Sequence, residues 1–221
     1  KRQVVGYGFA ALPVARRFGL AQEEPNGVLM VGASAFARDF AAALVSAGIP
    51  VKIIDTNEDK VAKARSRGIE AEMINFLDDD EREELDLSSV GKVVAMTPND
   101  HVNSLLAARA SEEFGRVHAY RLAPEAQEEN GEKKPSKTTP NGRLIGNKEL
   151  SFGVAEAHIA SGWKSQVIEV TAENLESVKS ESQELIPLAS IDETGKLALV
   201  SQSRKAAIKA GTKIVLFGPK S

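Results

Sequence analysis

The sequence predicts an α/β protein, with a doubly wound parallel sheet followed by a small α+β lobe. Within residues 25–122, short apolar runs alternate with segments of helical period, which is typical of βαβ units. From residue 143 to residue 221, a short helical segment precedes several apolar runs separated by turn residues, which indicates the second lobe. Residues 123–142 hold three prolines, two glycines and no Val, Ile, Leu, Met or aromatic residue, so we expect a flexible linker there.

Five apolar runs are predicted to form the parallel strands: residues 28–32, 51–55, 70–74, 92–97 and 117–122. The first run, VLMVG, is continuously apolar, as expected of a strand that is buried on both faces. Phe36, Phe40 and Leu44 then repeat at helical spacing, and Asn57 is placed to cap the next helix. The acidic segment 78–87 indicates a solvated helix before the fourth strand.

The helix after the fourth strand is predicted to begin at Asn99 or Asp100 and to end at Gly115. Its apolar stripe is predicted to consist of Val102, Leu105, Leu106, Ala110 and Phe114. Right-handed crossovers then lead to a doubly wound sheet, whose ligand crevice lies beyond the carboxyl ends of the strands. The candidate functional residues follow the strands: 32–37, Asp55, Asn75 and 97–103.

In the second lobe, RLIG (143–146) is placed to return a last strand to the parallel sheet, and residues 151–162 predict a short helix. Further strands are predicted in four later runs: 164–171, 184–191, 196–201 and 210–218. His158 is expected to be a packing residue. Trp163, the only tryptophan, is expected to anchor the core or the contact between the lobes.

Composition narrows the classes of function. The 28 Lys and Arg residues and 31 Asp and Glu residues give a net charge of −3, which does not favour a nucleic-acid partner. The absence of cysteine excludes disulfides, thiolate metal sites and a cysteine nucleophile. The three histidines lack metal-ligand spacing, so we expect no metal site.

Residues 1–24 are expected to form a juxtamembrane arm or linker. Their apolar stretch from Val4 to Ala15 contains Gly6, Gly8 and Pro13 and is too short to span a bilayer of roughly 30 Å as a helix. Two interpretations stay open: an ordered arm packed on the first domain, or a segment that follows a membrane domain, with its arginine pair on the cytoplasmic side.

The turn GASAFA (32–37) stands where a dinucleotide-binding fold places its glycine-rich motif. Gly32 suits the tight turn, but Ser34 and Ala37 replace the second and third glycines of the pattern. The helix start still offers free N–H groups to a phosphate, with the Ser34 hydroxyl as a further contact. Reading the turn as a hydrolase nucleophile elbow fails, because Phe36 stands where that turn needs glycine.

Asp55 ends the second strand, where a carboxylate can accept hydrogen bonds from both ribose hydroxyls. Capping of the next helix is the alternative role for Asp55. Because of the two missing glycines, the sequence leaves open a dinucleotide, a mononucleotide or no ligand.

Three segments resemble the TrkA-N or RCK (regulator of potassium conductance) domains attached to cation channels and transporters: VLMVGASAFARDFAAAL, IIDTNEDKV and KVVAMTPNDHVNSLLAARA. Thr97, Asp100 and Asn103 match the family pattern after the fourth strand, and Arg121 matches an arginine near the end of the fifth. The arm PVARRFGLAQ is similar to the region preceding this unit in bacterial NhaP-type sodium or potassium/proton antiporters.

The resemblance implies a Rossmann-like first domain and a regulatory module that is not an enzyme. It would act as a homodimer at the cytoplasmic face of the inner membrane, joined in its parent chain to a transporter domain. Its ligand would be AMP, ADP, ATP or NAD(H). The predicted nucleotide contacts are Gly32, Ala33, Ser34, Phe36, Ala37, Asp55, Asn75, Thr97, Asp100 and Asn103.

Two enzyme classes are the alternatives. An NAD(P)-dependent oxidoreductase fits the fold, but neither Tyr7 nor Tyr120 is followed four residues later by a lysine that could share proton transfer. A methyltransferase also combines a glycine-containing turn with an acidic residue after the second strand. The lone glycine of GASAFA and the separate C-terminal lobe give no reason to prefer it.

Overall fold

The fold is taken from a computed structural model that describes residues 25–129, 132–134 and 141–219. The predicted N-terminal arm, residues 1–24, lies outside the described residues. The strands are β1 (Gly27–Val31), β2 (Val51–Asp55), β3 (Glu70–Met73), β4 (Val90–Ala95), β5 (Ala119–Arg121), β6 (Gln127–Glu129), β7 (Glu132–Lys134), β8 (Arg143–Leu144), β9 (Trp163–Glu169), β10 (Ile186–Ile191), β11 (Leu197–Leu199) and β12 (Lys213–Pro219). The helices are α1 (Ala35–Ser46), α2 (Glu58–Arg65), α3 (Asp79–Glu83), α4 (Asp100–Phe114), α5 (Phe152–Ala160) and α6 (Leu175–Glu184).

Six strands form a parallel sheet in the order β3-β2-β1-β4-β5-β8, which confirms the predicted doubly wound fold. All five residues of β1 are buried, as its continuous apolar run predicts. The strand order reverses between β1 and β4, where Leu29 pairs with Val93. The space beyond the carboxyl ends of β1, β2 and β4, called the crevice below, lies at this switch point, where doubly wound folds bind ligands.

Three helices that border the crevice begin with a side-chain cap, which satisfies N–H groups that the helix itself leaves unpaired. Ser34 caps α1 by accepting from the Ala37 amide. Asn57 caps α2 as predicted, and of the two predicted candidates for the start of α4 it is Asn99 that caps the helix. The helix starts are therefore fixed locally by residues on the strand-to-helix turns.

The C-terminal strands form an antiparallel sheet in the order β11-β10-β12-β9, so this part has the predicted α+β character. Its core is continuous with that of the parallel sheet. The Phe36 ring of α1 meets the Phe217 ring of β12 at a centroid distance of 4.8 Å, and Trp163 lies 5.4 Å from Phe217 on another side. Trp163 therefore packs against the ring that joins the two parts, and His158 stacks on it at 3.8 Å.

Two details differ from expectation. Leu105 is 56% exposed, because it lies on the outer face of α4 while Leu106 and Ala110 face the sheet. In the predicted linker, Ala123 is fully buried and its N–H donates to the Leu150 carbonyl, and β6 pairs with β7 as a hairpin. The first residue of the segment is thus bound to the rest of the fold through its backbone, while β6 and β7 hydrogen-bond to each other. The linker residues 130–131 and 135–140 lie outside the described residues.

RLIG behaves as predicted, since β8 pairs in parallel with β5 at the edge of the sheet. The predicted C-terminal lobe thus contributes its first strand to the N-terminal sheet. Among the residues that the structure describes, no helix has the length and apolar character to cross a membrane.

Replacement of Phe217 by alanine is expected to lower the free energy of unfolding by about 3–5 kcal/mol, because the ring is fully buried between the two parts of the core. Val45→Ala, at a 42% exposed position on α1, is the control and should change it by no more than about 0.5 kcal/mol. Urea denaturation measures both. A Phe217→Ala protein as stable as the control would contradict a shared core.

Candidate functional site

The turn from β1 to α1 forms the centre of the crevice. Gly32 has a φ of +109°, and a Cβ atom there would lie 2.7 Å from the carbonyl oxygen of Met96, the first residue after β4. Glycine is needed for both reasons, since other residues rarely adopt this φ and the backbones approach too closely for a side chain. The turn is thereby held against the adjacent loop that follows β4.

Asp55, at the end of β2, holds the same turn from the other side. Its Oδ2 accepts a hydrogen bond of 2.7 Å from the Ala33 N–H, and its Oδ1 accepts one of 2.9 Å from the Asn57 N–H. The Lys60 Nζ lies 3.9 Å from Oδ2, and the Asp55 side chain is only 11% exposed. Each carboxylate oxygen has a second lone pair, so Asp55 can bind these amides and still accept from ribose hydroxyls.

The start of α1 is bound by a residue from the C-terminal part. Ser34 Oγ accepts from the Ala37 N–H at 3.1 Å. The Phe36 N–H donates to Glu156 Oε1 at 2.8 Å, and the Ala35 N–H lies 3.4 Å from Glu156 Oε2. Glu156 belongs to α5, so a carboxylate of the chain itself occupies the amides that a phosphate would use at a helix N-terminus.

Arg38 adds a positive charge one turn into α1. Its guanidinium donates to the Ala33 carbonyl, and its Nε is buried with no hydrogen-bond partner among the described residues. Burial lowers the pKa of Arg38 and the neighbouring charge of Arg67 lowers it further, whereas the carboxylates of Glu156 and Asp55 raise it. Arginine remains charged at neutral pH, so Arg38 partly balances two carboxylates at the crevice.

Thr97 and Asn103 join the loop after β4 to helix α4. The Thr97 N–H and hydroxyl both donate to Asn103 Oδ1, at 2.9 and 2.7 Å, and Asn103 Nδ2 donates to the Thr97 carbonyl at 2.8 Å. Asn103 is fully buried. This reciprocal pair fixes the position of the loop after β4.

Two further predicted residues lie in neighbouring loops. Asp100 Oδ2 accepts from the Glu125 N–H at 2.8 Å and so links the start of α4 to the loop after β5. Asn75, after β3, accepts from the Leu77 N–H at 3.1 Å, while its own N–H donates to Glu81 at 2.6 Å. Asn75 therefore shapes its own loop, two strands away from β1.

Arg121, at the end of β5, is 3% exposed, and its Nε donates to the Asn141 carbonyl at 2.9 Å. Burial lowers its pKa, which the charge of Asp100 partly offsets. Arg121 therefore connects the parallel sheet to the start of the C-terminal part. None of the hydrogen bonds described for it involves the turn after β1.

Residues 28–133 match the family model of the TrkA-N domain. These residues form a TrkA-N domain. The matched range extends past the predicted boundary at Leu122, through β6 and into β7. No curated protein sequence matches the chain.

Several solved structures are similar in fold. They include the TrkA-N domain of the inner membrane protein YbaL from Escherichia coli, with 20% identity over 46% of this chain and 74% of that one and a TM-score of 0.38. The NAD(P)-binding domain of an exopolyphosphatase-related protein from Archaeoglobus fulgidus has 21% identity over 45% and 74%, with a TM-score of 0.39. The RCK domain of GsuK has 13% identity over 94% and 47%, with a TM-score of 0.41. At these values the likenesses carry no weight for the function of this chain.

Within the TrkA-N domain, the structure brings Gly32, Ala33, Ser34 and Asp55 together through direct hydrogen bonds and close packing. Phe36 and Ala37 contribute backbone N–H groups there, while their side chains lie in the core. The other predicted contacts hold neighbouring loops. Their role as nucleotide contacts stays a prediction.

Sequence reasoning missed Glu156 and Arg38. Glu156 lies 120 residues from Phe36, and nothing in the local pattern of α5 marks this glutamate among the chain's other acidic residues. Arg38 carried a detectable signal, because it lies one turn after the helix start on the segment that resembles the family motif.

Two concave surfaces lie away from the crevice. One, of about 400 Å³, is lined by Arg82, Arg109 and acidic residues of α3 and α4. The other, of about 710 Å³, lies in the C-terminal part near Gly146 and Lys205. Within the described residues, no group of three or more His, Asp or Glu side chains is arranged to ligate a metal ion.

Asn103→Ala in the TrkA-N domain is expected to lower the free energy of unfolding by about 1–3 kcal/mol, because it removes the partner of the Thr97 N–H and carbonyl. His101→Ala, an exposed position on the same helix, should cost no more than about 0.5 kcal/mol. Denaturant unfolding of both variants is the measurement. Equal stabilities would show that this pair does not support the loop.

Proposed function

We propose that this chain is the cytoplasmic regulatory part of a monovalent cation/proton antiporter and that its crevice senses an adenosine nucleotide, AMP, ADP, ATP or NAD(H). The observation that carries the nucleotide proposal is the Asp55 carboxylate, bonded to the Ala33 N–H directly beneath the start of α1. A carboxylate and a helix N-terminus thus lie side by side at the switch point of a doubly wound sheet, where they would receive the ribose and the phosphate of a nucleotide.

The transporter context is supported by the TrkA-N match together with the resemblance of PVARRFGLAQ to the corresponding region of NhaP-type antiporters. We propose that the transporter domain belongs to the same parent chain, that the regulatory part dimerises with a second copy and that it lies at the inner face of the membrane. The cation would be sodium or potassium.

The proposed mechanism is a shift between two arrangements of the protein. A ligand can bias the transporter only by the difference between its affinities for the two arrangements. Such a difference in affinity would arise from the contact between the crevice and α5. A ligand at the start of α1 would contact residues from both parts of the chain. The site would bind its ligand without chemical conversion, so incubation with NADH or S-adenosylmethionine and a substrate panel should give no turnover.

Thermal shift titrations with AMP, ADP, ATP, NAD and NADH identify the ligand, because a molecule that binds only the native state raises the unfolding temperature. The ligand so found should change the rate of cation-driven proton exchange by the parent antiporter in membrane vesicles. No shift with any of the five would contradict nucleotide sensing, and a shift without an effect on exchange would contradict the regulatory role.

Asp55→Ala is expected to raise the Kd for that ligand by at least about tenfold, since hydrogen bonds from ribose to a charged acceptor are worth about 1.5–3 kcal/mol. Asp59→Ala removes an exposed carboxylate from the next helix and should leave Kd within about twofold. Isothermal titration calorimetry measures both variants.

Because Asp55 also accepts from two backbone N–H groups, the Ala variant is titrated well below its own melting temperature, which is determined first. An unchanged Kd in the folded variant would eliminate Asp55 as the ribose acceptor.

A further inference from the structure

Helix α5 places a carboxylate on the phosphate-binding end of α1. The two Glu156 oxygens face the Phe36 and Ala35 N–H groups, at 2.8 and 3.4 Å. N-terminal amides and the helix dipole favour any anion there, and a carboxylate pairs with two adjacent amides as phosphate oxygens do. The chain thus supplies its own anion at the position where a nucleotide would place its phosphate.

The position of α5 depends on a second glutamate. Glu125 Oε2 accepts from the Ser151 hydroxyl at 2.8 Å, and Glu125 Oε1 accepts from the Gly153 N–H at 2.6 Å, at the beginning of α5. A Cβ at Gly153 would lie 2.9 Å from that carboxylate oxygen. Helix α5 is therefore attached by its first turn to the TrkA-N domain and by Glu156 to the crevice.

Helix α5 also contacts the chain's only tryptophan. His158, two residues after Glu156, stacks on Trp163 with ring centroids 3.8 Å apart. Trp163 in turn packs edge-on against Phe217, which contacts Phe36 on α1. A movement of α5 that withdraws Glu156 must alter the environment of Trp163.

We propose that Glu156 is an internal competitor for the phosphate of the ligand, and that a phosphate-bearing ligand displaces the Glu156 carboxylate from α1 and thereby moves α5. This inference rests on the proposed function, that an adenosine nucleotide occupies the crevice. Two anions cannot share the same pair of N–H groups, and their like charges repel at short range. Adenosine, which has no phosphate, binds at Asp55 without displacing Glu156.

Arg38 makes the exchange of anions electrostatically feasible. Its charge interacts with both Glu156 and Asp55, and its Nε has no hydrogen-bond partner among the described residues. When Glu156 leaves, the guanidinium remains beside the start of α1 and can pair with the incoming phosphate. One anion at the start of α1 is then exchanged for another, while the anion that holds α5 is lost.

The consequence is that the phosphate is the part of the ligand that the protein senses. The hydrogen bonds between ribose and Asp55 contribute to the affinity for the ligand. The phosphate displaces Glu156 and so changes the position of α5. The coupling is reciprocal. If a phosphate-bearing ligand favours the displaced position of α5 by a certain factor, a change that displaces α5 raises the affinity for that ligand by the same factor.

The test compares ADP with adenosine in the whole 221-residue chain and in its Glu156→Gln variant. Glutamine retains an oxygen that can accept from the Phe36 N–H but lacks the negative charge. The Kd for ADP is expected to fall by about tenfold in the variant, while the Kd for adenosine stays within about twofold. Glu149→Gln, an exposed position in the same part of the chain, is the matched control and should change neither Kd.

Trp163 fluorescence is the second measurement, because it reports on α5 and not on ligand affinity. In the wild-type chain, saturating ADP should change the emission and saturating adenosine should not. In the Glu156→Gln variant the ligand-free emission should already be shifted toward that of the ADP complex.

Each outcome has a distinct meaning. If ADP binds the wild-type chain and the Glu156→Gln variant equally well, the proposed function stands and competition by Glu156 is overturned. If ADP and adenosine change Trp163 emission alike, coupling to α5 is overturned. If ADP binds only the variant, Glu156 blocks the phosphate position, and the proposed displacement of Glu156 by ADP in the wild-type chain is overturned. If neither protein binds ADP, the nucleotide proposal fails and the competition proposal fails with it.

Discussion

Helix α1 makes three contacts with the C-terminal part of the chain, and these contacts determine how the crevice is built. Its first N–H groups bond to Glu156, its Phe36 ring packs on Phe217, and its Asp39 carboxylate accepts from the Ser165 N–H at 2.7 Å. Close-packed interiors deform little, so the helix cannot shift against one part without disturbing the other. The turn that would receive a ligand and the sheet that follows the TrkA-N domain therefore form one mechanical unit.

The crevice is organised by backbone contacts that exist without any ligand. Asp55 ties the turn after β1 to the start of α2, and the Thr97 and Asn103 pair fixes the loop after β4. Groups held in this way need little reordering when a ligand arrives, so more of the interaction energy is available for binding. Because these hydrogen bonds form without a ligand, Asp55, Thr97 and Asn103 each have a structural role that is independent of any nucleotide.

The crevice holds charges of both signs from the protein itself. Asp55 and Glu156 supply two carboxylates, and Arg38, its neighbour Arg67 and Lys60, at 3.9 Å from Asp55, supply positive charge. A new anion entering this space must either replace one of the carboxylates or be repelled by them, and only Glu156 is carried by an element of the C-terminal part. Electrostatics and packing thus make the contact between α1 and α5 the part of the site that the proposed ligand would disturb.

Local patterns in the sequence determined the parallel strands, the caps at Asn57 and Asn99 and the turn at Gly32, because apolar periodicity and capping act over a few residues. The same patterns placed Asp55 at the crevice, since the carboxyl ends of adjacent parallel strands meet at one edge of the sheet. The tertiary structure alone decided that Glu156 binds α1, that Phe36 and Phe217 share a core, and that Leu105 faces outward. Those contacts join residues more than a hundred positions apart or depend on which helix face packs against the sheet, and no local signal encodes either.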